Sequence, residues 1–272
     1  MRLRYKHQRF QTEAARCVVN VFTGQPKSDG QSDHIVDQGT KRGFFHVEGF
    51  GNRNIILARE AICENIRAIQ TEQGLKPVDY LQELPGVGLA LTIEMETGTG
   101  KTYTYIKTMY ELNARYGWTK FVVVVPSIAI REGVLKSFES MQEHFAQEYG
   151  KRMQYFIYNS KQLSKIDAFA SDAGMHVMII NTQAFNSSMN EEKSHGVRAD
   201  KAARIIFDRR DEFCSRRPID VLAQTHPIMI IDEPQSVLGV DKNNKTRKGI
   251  AMFRPLFTLL YSATHRKGDI YN

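Results

Sequence analysis

From residue 89 onward, short apolar runs alternate with stretches of helical period, and this alternation constrains the fold more than any other feature of the chain. The runs are LALTIEM (89–95), KFVVVVP (120–126), MQYFIYN (153–159), HVMIIN (176–181), IMII (228–231) and LFTLLYS (256–262). KFVVVVP is apolar almost throughout, as a strand must be when both faces of its sheet are covered. Helical spacing falls between the strands, over 101–114 and 128–145, with a shorter helix expected over Ala199–Phe207. Strands alternating with helices predict an α/β domain with a mainly parallel sheet and helices on both faces.

The first 88 residues read differently. FQTEAARCVVNVF (10–22) places Ala14, Ala15, Val18, Val19 and Phe22 on one helical face. Residues 23–53 are polar and glycine-rich, with one hairpin expected around Phe44–Glu48. Residues 54–73 read as a helix through Ile55, Ile56, Ile62, Ile66 and Ile69, and 77–88 as loop.

Composition narrows the setting only modestly. The 272 residues carry a net charge of +7, which suits a polyanionic partner without proving one. The basic clusters at Arg2–Lys6, Arg209–Arg217, Lys242–Lys248 and His265–Lys267 read first as solvated faces. Cys17, Cys63 and Cys214 are scattered, which argues against a disulfide or zinc framework and for a reducing, cytoplasmic setting. The eight histidines show no metal spacing. No run of 18 apolar residues exists, so no membrane partner is expected.

Two motifs carry chemistry. METGTGKTY (95–103) follows one expected strand and opens the next expected helix, the context a phosphate-binding loop requires. Gly98 and Gly100 let the backbone, with Thr97 and Thr99, curl around phosphate oxygens. Lys101 reaches the outer phosphates and Thr102 offers a hydroxyl to Mg²⁺. Met95 stands where the strict pattern has a glycine. PIMIIDEPQSVLG (227–239) ends a buried strand on Asp232 and Glu233, at the edge where α/β sheets bind ligands. Adjacent carboxylates repel, so a cation beside them favours the arrangement. Asp232 is expected to hold Mg²⁺ and Glu233 to orient water, with Pro234 ending the strand and biasing Glu233 to extended geometry. The competing reading of DEPQ is a solvated acidic turn.

GTGKT, DEPQ and YSATH, in that order, resemble the first motor domain of superfamily-two helicases and translocases. DEPQ with ETGTGKT and YSATH resembles in particular the Res subunit of type III restriction enzymes. That resemblance implies a RecA-like phosphate-loop NTPase domain that uses ATP and Mg²⁺. Catalysis would rest on Glu233, Asp232 and Lys101. Gln11 would read adenine, although a surface glutamine on an amphipathic helix is the plainer alternative. Gln235, Ser262, Ala263 and Thr264 would couple nucleotide state to movement. Pro126, Ser127, Thr182 and Phe185 would contact nucleic acid, with helix capping an equal alternative for Ser127 and Thr182.

The same resemblance implies residues 1–88 as an adenine-motif helix plus an insertion, and 89–272 as the first motor domain. A second motor domain and a nuclease domain would lie elsewhere, so the chain is expected to be a fragment that turns over ATP slowly by itself. Double-stranded DNA and a modification (methyltransferase) subunit are the implied partners. Another superfamily-two DNA or RNA helicase, and a non-catalytic nucleotide-dependent binding module, stand as alternatives.

Overall fold

The structure, a computed structural model, describes residues 5–28, 34–35, 49–186, 205–209, 211, 215–239 and 245–264. Its elements in chain order are α1 (Arg9–Asn20), β1 (His34–Ile35), β2 (Gly49–Phe50), α2 (Arg59–Glu72), β3 (Glu83–Leu84), β4 (Gly88–Glu94), α3 (Lys101–Tyr116), β5 (Lys120–Val125) and α4 (Ile128–Tyr149). They continue with β6 (Gln154–Ile157), α5 (Ser164–Ser171), β7 (His176–Asn181), α6 (Gln183–Asn186), α7 (Pro218–Gln224), β8 (Ile228–Asp232), α8 (Pro234–Val237), α9 (Lys245–Met252) and β9 (Thr258–Ser262).

β5, β7, β8 and β9 are buried at every position, which is what their unbroken apolar character dictates. With β4 and β6 they form a sheet of order β3-β4-β9-β8-β5-β7-β6, parallel throughout except for β3, which pairs antiparallel with β4. Side chains alternate between faces. Phe121, Val123, Val125, Ile179, Ile230 and Leu259 pack with residues of α1, α2, α3 and α4. Val122, Val124, Met178, Ile180, Met229 and Ile231 pack with Ile166, Phe169, Leu222 and Ile250. The sheet is therefore covered on both faces, the α/β architecture that the alternation predicts.

Several boundaries differ from expectation. Residues 54–58 are not helical: Ala58 is extended (φ −62°, ψ 148°), and α2 begins at Arg59. Ile55 and Leu57 pack on the core while Ile56 is 61% exposed, a two-residue alternation that reads as extended chain. α4 runs on to Tyr149 and stops at Gly150, whose φ of 67° provides the left-handed cap. The 77–88 loop contains β3, and the sequence reading places no helix at α5, α6, α7, α8 or α9. The hairpin expected at Phe44–Glu48 and most of the helix expected at Ala199–Phe207 lie outside the described residues.

Val18, Val19, Phe22, Ile62 and Ile66 share one core with Tyr105 and Met109 of α3, and the boundary expected at residue 88 falls on the first residue of β4.

Candidate functional site

Because the large strands run parallel, the five loops that leave β4, β9, β8, β5 and β7 emerge on one edge of the sheet. These loops carry the residues of GTGKT, SAT, DEPQ, PS and NTQ in that spatial order. β9 separates β4 from β8, so the phosphate loop and the carboxylates stand about 9–10 Å apart at backbone level.

Gly98 (φ 81°) and Gly100 (φ 86°) hold the phosphate loop in the left-handed region, where a side chain would be strained. Gly100 is the residue preceding α3 and carries no side-chain cap, so the first-turn N–H groups of this 16-residue helix point outward without a side-chain partner at that position. Thr97 is exposed, and Thr99 closes the loop through its hydroxyl on the Glu96 carbonyl at 2.6 Å. Met95 needs no glycine conformation. It is 7% exposed, and its N–H extends the ladder by donating to the Ser262 carbonyl at 2.8 Å.

Gln11 is buried, and its amide donates to the Thr99 carbonyl at 2.8 Å. A Cβ on Gly100 would stand 2.5 Å from that amide nitrogen. The glutamine therefore lies against the phosphate loop and is not the surface residue of the plainer alternative. Beside it opens a cavity of about 420 Å³ between α1, α2 and β4, lined by Phe10, Glu13, Cys17, Ile66 and Thr99 among others.

Glu233 does not adopt the extended geometry expected ahead of a proline. It is left-handed (φ 53°, ψ 63°). Its N–H still donates to the Tyr261 carbonyl at 3.0 Å, so it closes the strand, and Pro234 immediately begins α8. Proline disfavours the right-handed helical region for the residue before it, and the abrupt turn from strand to helix excludes the extended one. The left-handed well remains, at about 1–3 kcal/mol for a non-glycine residue. One Glu233 oxygen meets Lys101 Nζ at 2.8 Å, with the two side chains 29% and 12% exposed. The other accepts from the Gln235 amide. Gln235 Oε1 accepts from Ser262 Oγ at 2.9 Å, and Ser262 Oγ accepts from the Thr264 N–H at 3.2 Å. Lys101, Glu233, Gln235, Ser262 and Thr264 thus form one continuous polar chain across three loops. Ala263 lies between its last two members.

Asp232 is the unsatisfied member of the site. Its Oδ1 is buried with no hydrogen-bond partner. Burial, reinforced by the Glu233 charge and opposed by Lys101, pushes its pKa up to about 6. An oxygen so placed costs about 1–3 kcal/mol, which a divalent cation would offset. With Thr102 in the first turn of α3, the donors fit Mg²⁺, a hard ion that takes oxygen ligands.

On the β5–β7 side, Ser127 caps α4 by accepting from the Ile130 N–H at 3.3 Å. The Thr182 hydroxyl donates to the Pro126 carbonyl at 3.3 Å, tying the two loops together. Phe185 belongs to α6, and its side chain lies outside the described residues. Arg131, which the sequence did not single out, reaches from α4 to Asn181 Oδ1 at 3.3 Å and holds the same two loops. Tyr105 was also missed: its hydroxyl is fully buried beside Thr102 and Asp232. The only sequence signal for it is a polar-tipped aromatic one turn into a helix that opens on a phosphate loop. Of the four basic clusters, His265–Lys267 lies wholly and the other three partly outside the described residues, and no described helix is long and apolar enough to cross a membrane.

Residues 66–266 match the family described as "Type III restriction enzyme, res subunit". The chain is 27% identical to the EcoP15I Res subunit of Escherichia coli over 96% of this chain and 26% of that protein. It is 32% identical to the StyLTI Res subunit of Salmonella typhimurium over 64% of this chain and 18% of that protein. It therefore spans about a quarter or less of the length of the curated relatives it matches. Among solved structures it is similar to the UvsW helicase from bacteriophage T4, with 12% identity and a TM-score of 0.37 over 80% of this chain and 64% of that one. The chain belongs to the type III restriction enzyme Res subunit family.

Proposed function

We propose that this chain is an ATP-binding motor domain of a type III restriction enzyme, which couples Mg²⁺-dependent ATP hydrolysis to movement or switching on double-stranded DNA. The observation that carries the reading is the polar chain from Lys101 to Thr264. It joins a phosphate-binding lysine, a carboxylate at the strand end and a Ser-Ala-Thr loop through consecutive contacts. Such a path gives a change at the phosphates a physical route to the far loop.

In this reading the phosphate loop and the α3 N-terminus bind the triphosphate, and Lys101 leaves Glu233 for the outer phosphates. Freed from its ammonium partner, Glu233 has an oxygen open to accept a hydrogen bond from the attacking water. Asp232 and Thr102 would hold Mg²⁺, which when bound neutralises charge on the phosphate oxygens. Gln235, bonded to both Glu233 and Ser262, passes the rearrangement to β9. Gln11 and the neighbouring cavity are assigned to the base, and Ser127, Thr182, Phe185 and the loop-tying Arg131 to the DNA backbone. Residues 1–88 supply the adenine-side helix, and the segment between Gln11 and Met95 is read first as an elaborated edge of the domain, since Ile62 and Ile66 share its core, with docking of a modification subunit as the alternative.

The test is ATP turnover with and without duplex DNA, in the chain and in a longer polypeptide of its relatives' length that contains it. DNA-stimulated turnover that disappears in both Lys101→Ala and Glu233→Gln supports the motor. Unwinding of RNA but not action on DNA would favour another superfamily-two helicase. Nucleotide binding with no turnover in the longer polypeptide would favour a non-catalytic switch.

A further inference from the structure

We propose that His7, His144 and Glu148 form a transition-metal site, of the zinc type, which pins the segment leading into α1 against α4. His144 and Glu148 lie one helical turn apart, so their side chains share a face. His144 Nε2 and Glu148 Oε2 are 3.6 Å apart. The N-terminal segment runs along that face. Tyr5 donates its hydroxyl to Ser140 Oγ at 2.9 Å, and the rings of Tyr5 and His7 each stand 5.4 Å from that of His144. Among the described residues, His7, His144 and Glu148 are brought together so that one ligand atom from each lies within 4.8 Å of the others. Ligands about 2.0–2.2 Å from a tetrahedral zinc are roughly 3.4 Å from one another, so side-chain rotation of about 1–1.5 Å closes the site.

The charge balance favours a dication. Lys107 takes Glu148 Oε1 at 2.6 Å and lies 3.9 Å from Glu111, so two carboxylates face one ammonium. The other Glu148 oxygen is turned toward His144. Two imidazoles and one carboxylate select a borderline ion such as Zn²⁺ over Mg²⁺. The opposing group is Tyr103, whose hydroxyl meets His144 Nε2 at 3.0 Å and must yield that nitrogen to the ion. Tyr103 follows Lys101 and Thr102 in α3, and His7 lies one turn's length before Gln11. A bound ion would therefore hold the segment that sets Gln11 against Thr99. The site combines residues distant in sequence, which is why the histidine spacing gave no sign of it.

The experiment is a Zn²⁺ titration of the untagged, chelator-stripped chain by competition with a chromophoric chelator, with Co²⁺ absorption as a report on coordination. One saturable site per chain is expected, weakened at least about tenfold in His144→Asn, in Glu148→Gln and in His7→Asn. His7 is on an exposed segment, so its variant separates loss of a ligand from loss of the fold. Tyr103→Phe is expected to tighten binding. Absence of saturable binding, or binding unchanged in all three ligand variants, overturns the proposal.

Discussion

The parallel sheet carries a lysine–carboxylate cluster at each end, and the two are built in opposite ways. At the N-terminal ends of β5 and β7, Lys120 is fully buried and donates to the carbonyls of Asp172 and Gly174. The Asp172 carboxylate is engaged by His176 at 2.7 Å, the Gly174 N–H at 2.9 Å and the Gln154 amide at 3.2 Å. Asn52 completes that end, donating to the carbonyls of Lys120 and His226 and accepting from the N–H groups of Thr119 and Lys120. At the C-terminal ends, Asp232 keeps an unpartnered buried oxygen and Glu233 sits in a left-handed backbone. The first cluster is saturated and the second is short of partners. A saturated network specifies a fold, whereas a strained and unsatisfied one keeps its bonding capacity for a ligand.

Substitutions at the two ends should therefore separate function from stability. The largest effect is expected at the C-terminal end: Glu233→Gln should lower DNA-stimulated ATP turnover in the longer polypeptide by about 10²–10⁴-fold. Circular dichroism melting of the same variant should show no loss of stability. Lys120→Ala should do the reverse. It removes a buried side chain and strands two carbonyls, at a cost of about 2–4 kcal/mol in chemical denaturation, while nucleotide affinity in the still-folded chain stays unchanged.

The pH dependence should also differ in sign. Asp232 has a folded pKa raised to about 6 from 3.8, so its ionisation opposes folding: the penalty is absent below the unfolded value and grows as pH rises toward 6. In metal-free buffer, Asp232→Asn should therefore gain about 1–3 kcal/mol at pH 7.5 and nothing below about pH 4. His176 is held by burial below its ordinary 6.5, so at the other end stability is present above 6.5 and lost as pH falls through that region. A urea-melting series from pH 4 to 8 on both Asp232→Asn and His176→Gln would show the opposite slopes. The smallest effect is expected at Gly100→Ala. The φ of 86° and the approach to Gln11 should cost about 1 kcal/mol, part of it recovered in a Gly100→Ala/Gln11→Ala double variant measured by the same melts.

The C-terminal cluster was far more legible in the sequence than its counterpart. GTGKT and DEPQ are contiguous, and the direction of parallel strands brings their loops to one edge without further information. Lys120, Asp172, His176 and Asn52 come from separate segments, and a lysine opening an apolar strand reads as an ordinary solvent-facing end. Tyr105 and Arg131 were hidden for the same reason, since their meaning lies in what faces them across the sheet edge. The left-handed backbone of Glu233 is not legible in the sequence because Pro234 reads first as a strand terminator. Proline at the first position of α8 also starts a helix, and the residue linking strand to helix had to turn. The missed extended stretch at 55–57 carried a two-residue alternation masked by three consecutive apolar residues.

Whether the C-terminal cluster holds a nucleotide is decided by equilibrium binding of ATP to this chain, with and without Mg²⁺, compared among the unaltered chain, Lys101→Ala and Lys120→Met. Saturable, Mg²⁺-dependent binding that Lys101→Ala abolishes and Lys120→Met preserves is the expected result. Equal binding by Lys101→Ala, or binding lost only in Lys120→Met, would contradict it and leave the C-terminal cluster as a strained turn without a ligand.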